Sequence, residues 1–297
     1  MALTVKESFR QFSSNLNITD KQATLVSLRR IKVVDEIEKK LFLNTTQPSK
    51  LIGSYDRDTH IKYLSEGDID LMVVLHYGQH SEAWDNKDGV AKVLTRFKGI
   101  LESAYPKITC SVDRNCVVMK FNEFNLDVVP AFRFKSGDYK IPDTYRGSWL
   151  KTNPVKFSKE VTRINKNMDG VFIPLIKMVK GWNRNYSKQL RGFHIECLML
   201  KHYKDYKQSY TYDSMLKVFF SKLPGYLKSA CYDPITGDKV DLYLDNSGLG
   251  YKRETFVNRA TKAAKDAKEA FEDRDAYPSI AIKEWKDLLG DFFPAYG

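Results

Sequence analysis

The chain of 297 residues is 42% apolar and carries a formal net charge of +11, enough apolar content for one large core or two smaller, tightly joined lobes. Its four cysteines, Cys110, Cys116, Cys197 and Cys231, have no C-x-x-C spacing, which argues against a zinc cluster or a disulfide framework and for free thiols in a reducing cytosol. No apolar h-region follows Met1, and the stretch Leu71 to Leu75 falls far short of the roughly 20 residues that span a bilayer, so a cytoplasmic protein with no membrane partner is expected. The positive charge suits a protein that gathers polyanions, either nucleoside triphosphates in a cleft or a nucleic acid activator on a face. Because the lysines are spread along the chain without a run of five or six, a solvated basic surface accounts for the charge as well.

Taken in chain order, Thr19-Asp-Lys-Gln22 reads as a capping box. It opens a long helix with Leu25, Leu28, Ile31, Val34, Ile37 and Leu41 near helical period, placed to brace two lobes. A short apolar lead-in, Lys50-Leu-Ile52, runs into Gly53-Ser54; about one turn of polar helix and a loop through Ser65-Glu-Gly67 then lead to a strand at 69–75. His76 and His80 stand four apart, but Gly78 and the strand end between them argue against a helical ligand pair. A helix at 90–105 precedes strands at 108–112, 116–121 and 125–129, with Asp113-Arg-Asn115 as a hairpin turn. Pro142, Gly147 and Pro154 break the pattern, and helix signals dominate afterwards. The fold class is therefore α+β, with a mixed sheet lobe at 1–150 and a helical lobe at 151–297. Within the helix at 171–185, Phe172, Leu175, Ile176 and Val179 form a stripe for burial, and Lys177, Lys180 and Arg184 gather on another face. His194 and His202 read as structural or surface residues. Ala260, Ala263, Ala264, Ala267 and Ala270 form a small-residue stripe for close helix packing.

Three carboxylates carry the chemistry. Asp68 and Asp70 are two apart at a strand start, and the period of two places both on one face. Asp127 stands in the strand-like Asn125-Leu-Asp-Val-Val129, so a neighbouring strand brings a third carboxylate beside the pair. Three such groups suit Mg²⁺, a hard cation that takes carboxylates, water and phosphate oxygens. The glycine at 53 lets backbone N–H groups approach a phosphate, and the Ser54 hydroxyl adds a donor.

With these pieces the sequence resembles the polymerase beta-like nucleotidyltransferases. Within them it is similar to the bacterial cyclic-oligonucleotide synthases (CD-NTases), relatives of animal cyclic GMP-AMP synthase and the oligoadenylate synthetases. The resemblance covers most of the chain. It rests on Ile52-Gly-Ser-Tyr-Asp-Arg-Asp-Thr59, Gly67-Asp-Ile-Asp-Leu-Met-Val-Val-Leu75, Leu126-Asp-Val-Val-Pro-Ala-Phe132, Gly137-Asp-Tyr-Lys-Ile-Pro-Asp143 and Trp149-Leu-Lys-Thr-Asn-Pro154. Further on it includes Pro174-Leu-Ile-Lys-Met-Val-Lys-Gly-Trp-Asn183, Gly192-Phe-His-Ile-Glu196 and Trp285-Lys-Asp-Leu-Leu-Gly-Asp-Phe-Phe-Pro294. It implies a two-lobed enzyme that binds Mg²⁺, or Mn²⁺ in its place, through Asp68, Asp70 and Asp127, with Asp127 also accepting a hydroxyl proton. It implies that Gly53 and Ser54 hold donor phosphates, that Lys180 neutralises their charge and that Phe193 stacks on a base, at a position where the family often has tyrosine. The implied products are cyclic di- or trinucleotides made from nucleoside triphosphates including ATP, which reach a downstream effector in defence against phage. Two rival readings stand beside it: single nucleotidyl transfer to RNA, protein or a small molecule, and a binding module that keeps the fold without the chemistry. The intact set of carboxylates argues against the second.

Overall fold

The computed structural model describes residues 4–186, 190–246 and 252–297; Met1 to Leu3, at the head of the segment read for an export signal, lie outside the described residues. The chain separates into two compact units, Ile18–Ser158 and Met1–Asn17 together with Lys159–Gly297. Helix α1 (Val5–Asn15) thus groups with the C-terminal helices, whereas α2 (Asp20–Glu38) groups with the sheet.

The sheet unit holds seven strands, β1 (Ser49–Ile52), β2 (Asp68–Val74), β3 (Thr109–Asp113), β4 (Cys116–Lys120), β5 (Asn125–Arg133), β6 (Tyr139–Asp143) and β7 (Ser148–Thr152). Their order is β1-β2-β5-β4-β3, with β6 pairing β5 and β7. β2 and β5 run parallel in the middle, and the other pairs are antiparallel. Alternation along β2 sends Ile69, Leu71 and Val73 to one face. There they pack with Leu126 and Val128 of β5, with Val33 and Ile37 of α2, and with Val93, Leu94 and Phe97 of α5 (Gly89–Ala104). The opposite face carries Asp68 and Asp70 first, then Met72 and Val74, which pack with Ala131 and Tyr139. Each fully buried aliphatic chain contributes about 1.5–3 kcal/mol, so a slip of one residue that exchanged the two faces of β2 is strongly disfavoured. The acids are held on the face away from α2 and α5 by the packing of their neighbours.

Helix α4 (Tyr77–Trp84), which runs through Gly78 and His80, has no counterpart in the sequence reading, and other elements differ from it as well. Helix α2 does start on its capping box, with Thr19 N–H donating to Gln22 Oε1 at 2.9 Å. Its buried residues, however, are Val26, Val33, Val34 and Ile37, while Leu28 and Ile31 are 51% and 50% exposed. A run taken in steps of three drifts by about 60° per step around a helix of 3.6 residues per turn, so it leaves the buried face. The pattern break at Pro142 and Gly147 is the hairpin β6–β7, with Gly147 at φ +59° in its turn. Residue 150, taken from the sequence as a lobe boundary, lies inside β7. Helix α1, opened by its own capping box between Thr4 and Glu7, has no counterpart in the sequence reading.

In the helical unit α6 (Pro154–Asn167), which begins in the sheet unit, is followed by α7 (Phe172–Asn185), α8 (Gly192–Tyr203), α9 (Tyr212–Lys228), α10 (Arg253–Glu272) and α11 (Pro278–Leu289). Phe9 of α1 meets Trp285 and Phe293 edge-on, ring centres 5.0 Å apart in both cases. Phe172, Leu175, Ile176 and Val179 are buried as expected, and so are Ala260, Ala263, Ala267 and Ala270 of α10, which packs beside α9, whereas Ala264 of the same stripe is half-buried. All four cysteines are buried and free. Among the described residues, no helix is long and apolar enough to cross a membrane.

Candidate active site

The parallel register of β2 and β5 sets Asp70 opposite Asp127 and Asp68 opposite Asn125. Partners in register point to the same face, so strand pairing alone gathers all three carboxylates there. The Asn125 side-chain amide donates to Asp68 Oδ1 at 3.1 Å. Asp127 Oδ1 is buried and finds no hydrogen-bond partner. Burial, followed by the charges of Asp68 and Asp70, pushes the Asp127 carboxyl up to about 7. Cys116 lies at the start of β4, whose Val118 pairs with Asp127, and its own thiol is raised by burial and then by Asp127.

Ser54 enters from the adjacent strand. Ile52 of β1 pairs with Asp70, and the next residue, Gly53, turns the chain at φ +69° into the short helix α3 (Gly53–Asp56). A Cβ at residue 53 would overlap Asp70 Oδ2 and fall 2.8 Å from Asp70 Cγ. Glycine is therefore required twice, by backbone conformation and by the nearness of a carboxylate. The carbonyl of Ser54 accepts from Thr59 N–H at 2.9 Å and His60 N–H at 3.1 Å, closing a loop over 54–60. Asp56 anchors the other end of α3, paired with Lys50 at 3.2 Å and accepting from the Ser158 hydroxyl at 2.7 Å.

Among the described residues no three His, Cys, Asp or Glu side chains are already gathered into a metal-holding group. The donor set nonetheless fits a hard divalent cation. It offers oxygen only, from Asp68, Asp70 and Asp127, one of whose oxygens is buried without a partner, and the mutual repulsion that raises Asp127 is what a cation between carboxylates relieves.

Lys180 and Phe193 belong to the helical unit. Lys180 Nζ donates to Glu196 Oε1 at 2.6 Å, and the Glu196 side chain is fully buried. Gly192, at the start of α8, lies beside this lysine, and a Cβ there would make only ordinary contact, 3.7 Å from Lys180 Cε. Phe193, the next residue, is 39% exposed and so is not a core side chain. The cationic face read for α7 does not hold as a set. Lys177 is buried and donates to Asn17 Oδ1 at 2.8 Å, and the Arg184 guanidinium lies over the Phe292 ring at 5.5 Å.

Two neighbours of the site escaped the sequence reading. His60 is buried, with Nδ1 3.1 Å from Ser54 Oγ; it sits in a loop with no periodicity, and no spacing rule marks it. Cys116 shows in the sequence only as a thiol; its nearness to Asp127 follows from the pairing of β4 with β5, which the hairpin between β3 and β4 does not set.

A model of the Second Messenger Oligonucleotide or Dinucleotide Synthetase domain matches residues 3–165. By sequence, the chain is 28% identical over 269 residues to a cyclic AMP-AMP-AMP synthase of an Acinetobacter strain, covering 82% of this chain and 72% of that protein. By structure, it is similar to the ATP complex of Escherichia coli MS115-1 CdnC, with a TM-score of 0.72, 16% identity and coverage of 97% and 98% of the two chains. It is also similar to the Vibrio cholerae cyclic AMP-GMP synthase DncV in complex with a linear intermediate, with a TM-score of 0.72, 13% identity and coverage of 96% of each chain.

Proposed function

Since the chain belongs to the Second Messenger Oligonucleotide or Dinucleotide Synthetase family, nucleotidyltransferases that make cyclic nucleotide second messengers, we propose that it joins nucleoside triphosphates, ATP among them, into a cyclic di- or trinucleotide for anti-phage signalling. The observation that carries this reading is the registered pair Asp70 and Asp127, with Asp68 two residues away and a buried oxygen of Asp127 lacking a partner. The relative that makes cyclic AMP-AMP-AMP and the solved relative holding a linear intermediate support a second nucleotide as the acceptor.

In this reading the acceptor hydroxyl oxygen attacks the α-phosphorus of the donor triphosphate, the O–P bond forms and pyrophosphate leaves. Asp127, set beside the acceptor by its strand register, takes the hydroxyl proton. Backbone at Gly53 and the hydroxyl of Ser54 hold the donor phosphates in place. Lys180 adds positive charge for phosphate, and the exposed Phe193 ring offers a stacking surface for a base. Mg²⁺, or Mn²⁺ in its place, would be held by Asp68, Asp70 and Asp127 and would supply neutralisation of the triphosphate and a more acidic acceptor hydroxyl.

The test is pyrophosphate release from the four nucleoside triphosphates with Mg²⁺. EDTA and Asp70→Asn should each lower it by at least about 100-fold, the scale seen when one preorganised transition-state contact is lost. Wild-type release by folded Asp70→Asn protein would remove the basis of the assignment.

A further inference from the structure

The buried ring of His60 bridges two parts of the site. On one side Nδ1 is 3.1 Å from Ser54 Oγ, and the His60 backbone N–H donates to the Ser54 carbonyl at 3.1 Å. On the other side it lies against Gly67, where a Cβ would be 2.6 Å from His60 Cε1 and 3.2 Å from Nε2. Gly67 immediately precedes Asp68. One ring therefore packs between the serine of the Gly-Ser turn and the residue that leads into the first carboxylate, and residue 67 must lack a side chain for it to do so.

The chemistry of the contact decides what Ser54 offers a ligand. A serine hydroxyl has one hydrogen and two lone pairs. If that hydrogen is given to His60, only lone pairs face the polyanionic phosphates, which are themselves acceptors. If Nδ1 carries the hydrogen and donates it to Oγ, the hydroxyl hydrogen turns outward to a phosphate oxygen. We propose that His60 is a positioning residue for nucleotidyl transfer, donating from Nδ1 to Ser54 Oγ and directing the Ser54 hydroxyl hydrogen to the donor triphosphate. This rests on the assignment of Ser54 to the donor phosphates above. The ring also packs against the residue before Asp68, adding to the β1–β2 pairing that sets the turn beside the carboxylates.

The experiment is a double-mutant cycle on the full chain, reading the triphosphate KM and kcat of wild type, Ser54→Ala, His60→Leu, the double variant and His60→Asn. Asparagine places its amide nitrogen where Nδ1 stands in histidine; glutamine places it nearer Nε2. A hydrogen bond to a charged group contributes about 1.5–3 kcal/mol, so Ser54→Ala and His60→Leu should each raise KM roughly tenfold or more. The double variant should be no worse than Ser54→Ala, and His60→Asn should regain most of the loss. A purely structural His60 would give effects that multiply in the double variant and an Asn variant as impaired as Leu, and either result overturns the proposal. Should His60→Leu fail to fold, His60→Asn against His60→Gln decides: equal KM values overturn it, and a lower KM for Asn supports it. An unchanged KM in Ser54→Ala refutes the phosphate role of Ser54 itself, a failure told apart because that variant leaves His60 intact.

Discussion

Asp127→Asn, studied in EDTA, probes the electrostatics of the carboxylate cluster without requiring turnover. The folded carboxyl sits at about 7 instead of the ordinary 3.8, roughly 3 pH units apart, and each unit is worth about 1.36 kcal/mol. The folded state thus favours the protonated acid, and ionising Asp127 inside it costs up to about 4 kcal/mol. Because the folded value is the raised one, wild-type stability is fully present below about pH 4 and is lost as pH rises through about 7. Asparagine does not titrate, so the variant should match wild type near pH 4 and exceed it by roughly 2–4 kcal/mol at pH 8, the lower figure allowing for side-chain relaxation and water. Urea unfolding followed by circular dichroism at pH 4.5, 6 and 8 reads this directly. Adding Mg²⁺ at pH 8 should narrow the gap by stabilising the wild type. A gap independent of pH, or a variant less stable than wild type at pH 8, would refute the reasoning.

Gly53→Ala should lower turnover by roughly 100-fold through displacement of Asp70, with an additional backbone cost of about 1–2 kcal/mol at φ +69°; steady-state kinetics and a thermal melt measure the two effects. Phe193→Ala should weaken nucleotide binding by about 1–3 kcal/mol with little change in Tm, since the ring is partly exposed. Lys180→Ala should instead lower both affinity and Tm, because it removes the ammonium that pairs with the fully buried Glu196 carboxylate; calorimetry and melts on both variants separate these patterns.

Much of the site was legible because it is written in short-range geometry. Period-two alternation put Asp68 and Asp70 on one face, and a strand pattern around Asp127 supplied the third acid. What strand spacing cannot give is which strands are neighbours, so the Asp70–Asp127 register came only from the fold. The stripe of α7 was readable from its period, whereas the fate of Lys177 was not: its partner Asn17 is 160 positions away. Strands β6 and β7 were hidden because Pro142 and Gly147 look like breakers, yet Pro142 lies within β6 and Gly147 makes the turn between the two strands. His60 was invisible because its importance comes from two contacts, with Ser54 and Gly67, that no periodicity encodes.

The central claim is tested most directly by the product. Incubated with labelled nucleoside triphosphates and Mg²⁺, the protein should form a species whose mass is that of a cyclic di- or trinucleotide containing adenosine. Ring closure consumes the terminal triphosphate, so alkaline phosphatase should leave that species untouched. A phosphatase-sensitive ladder of linear oligonucleotides, or label transferred only to an added RNA, protein or small molecule, would contradict the account.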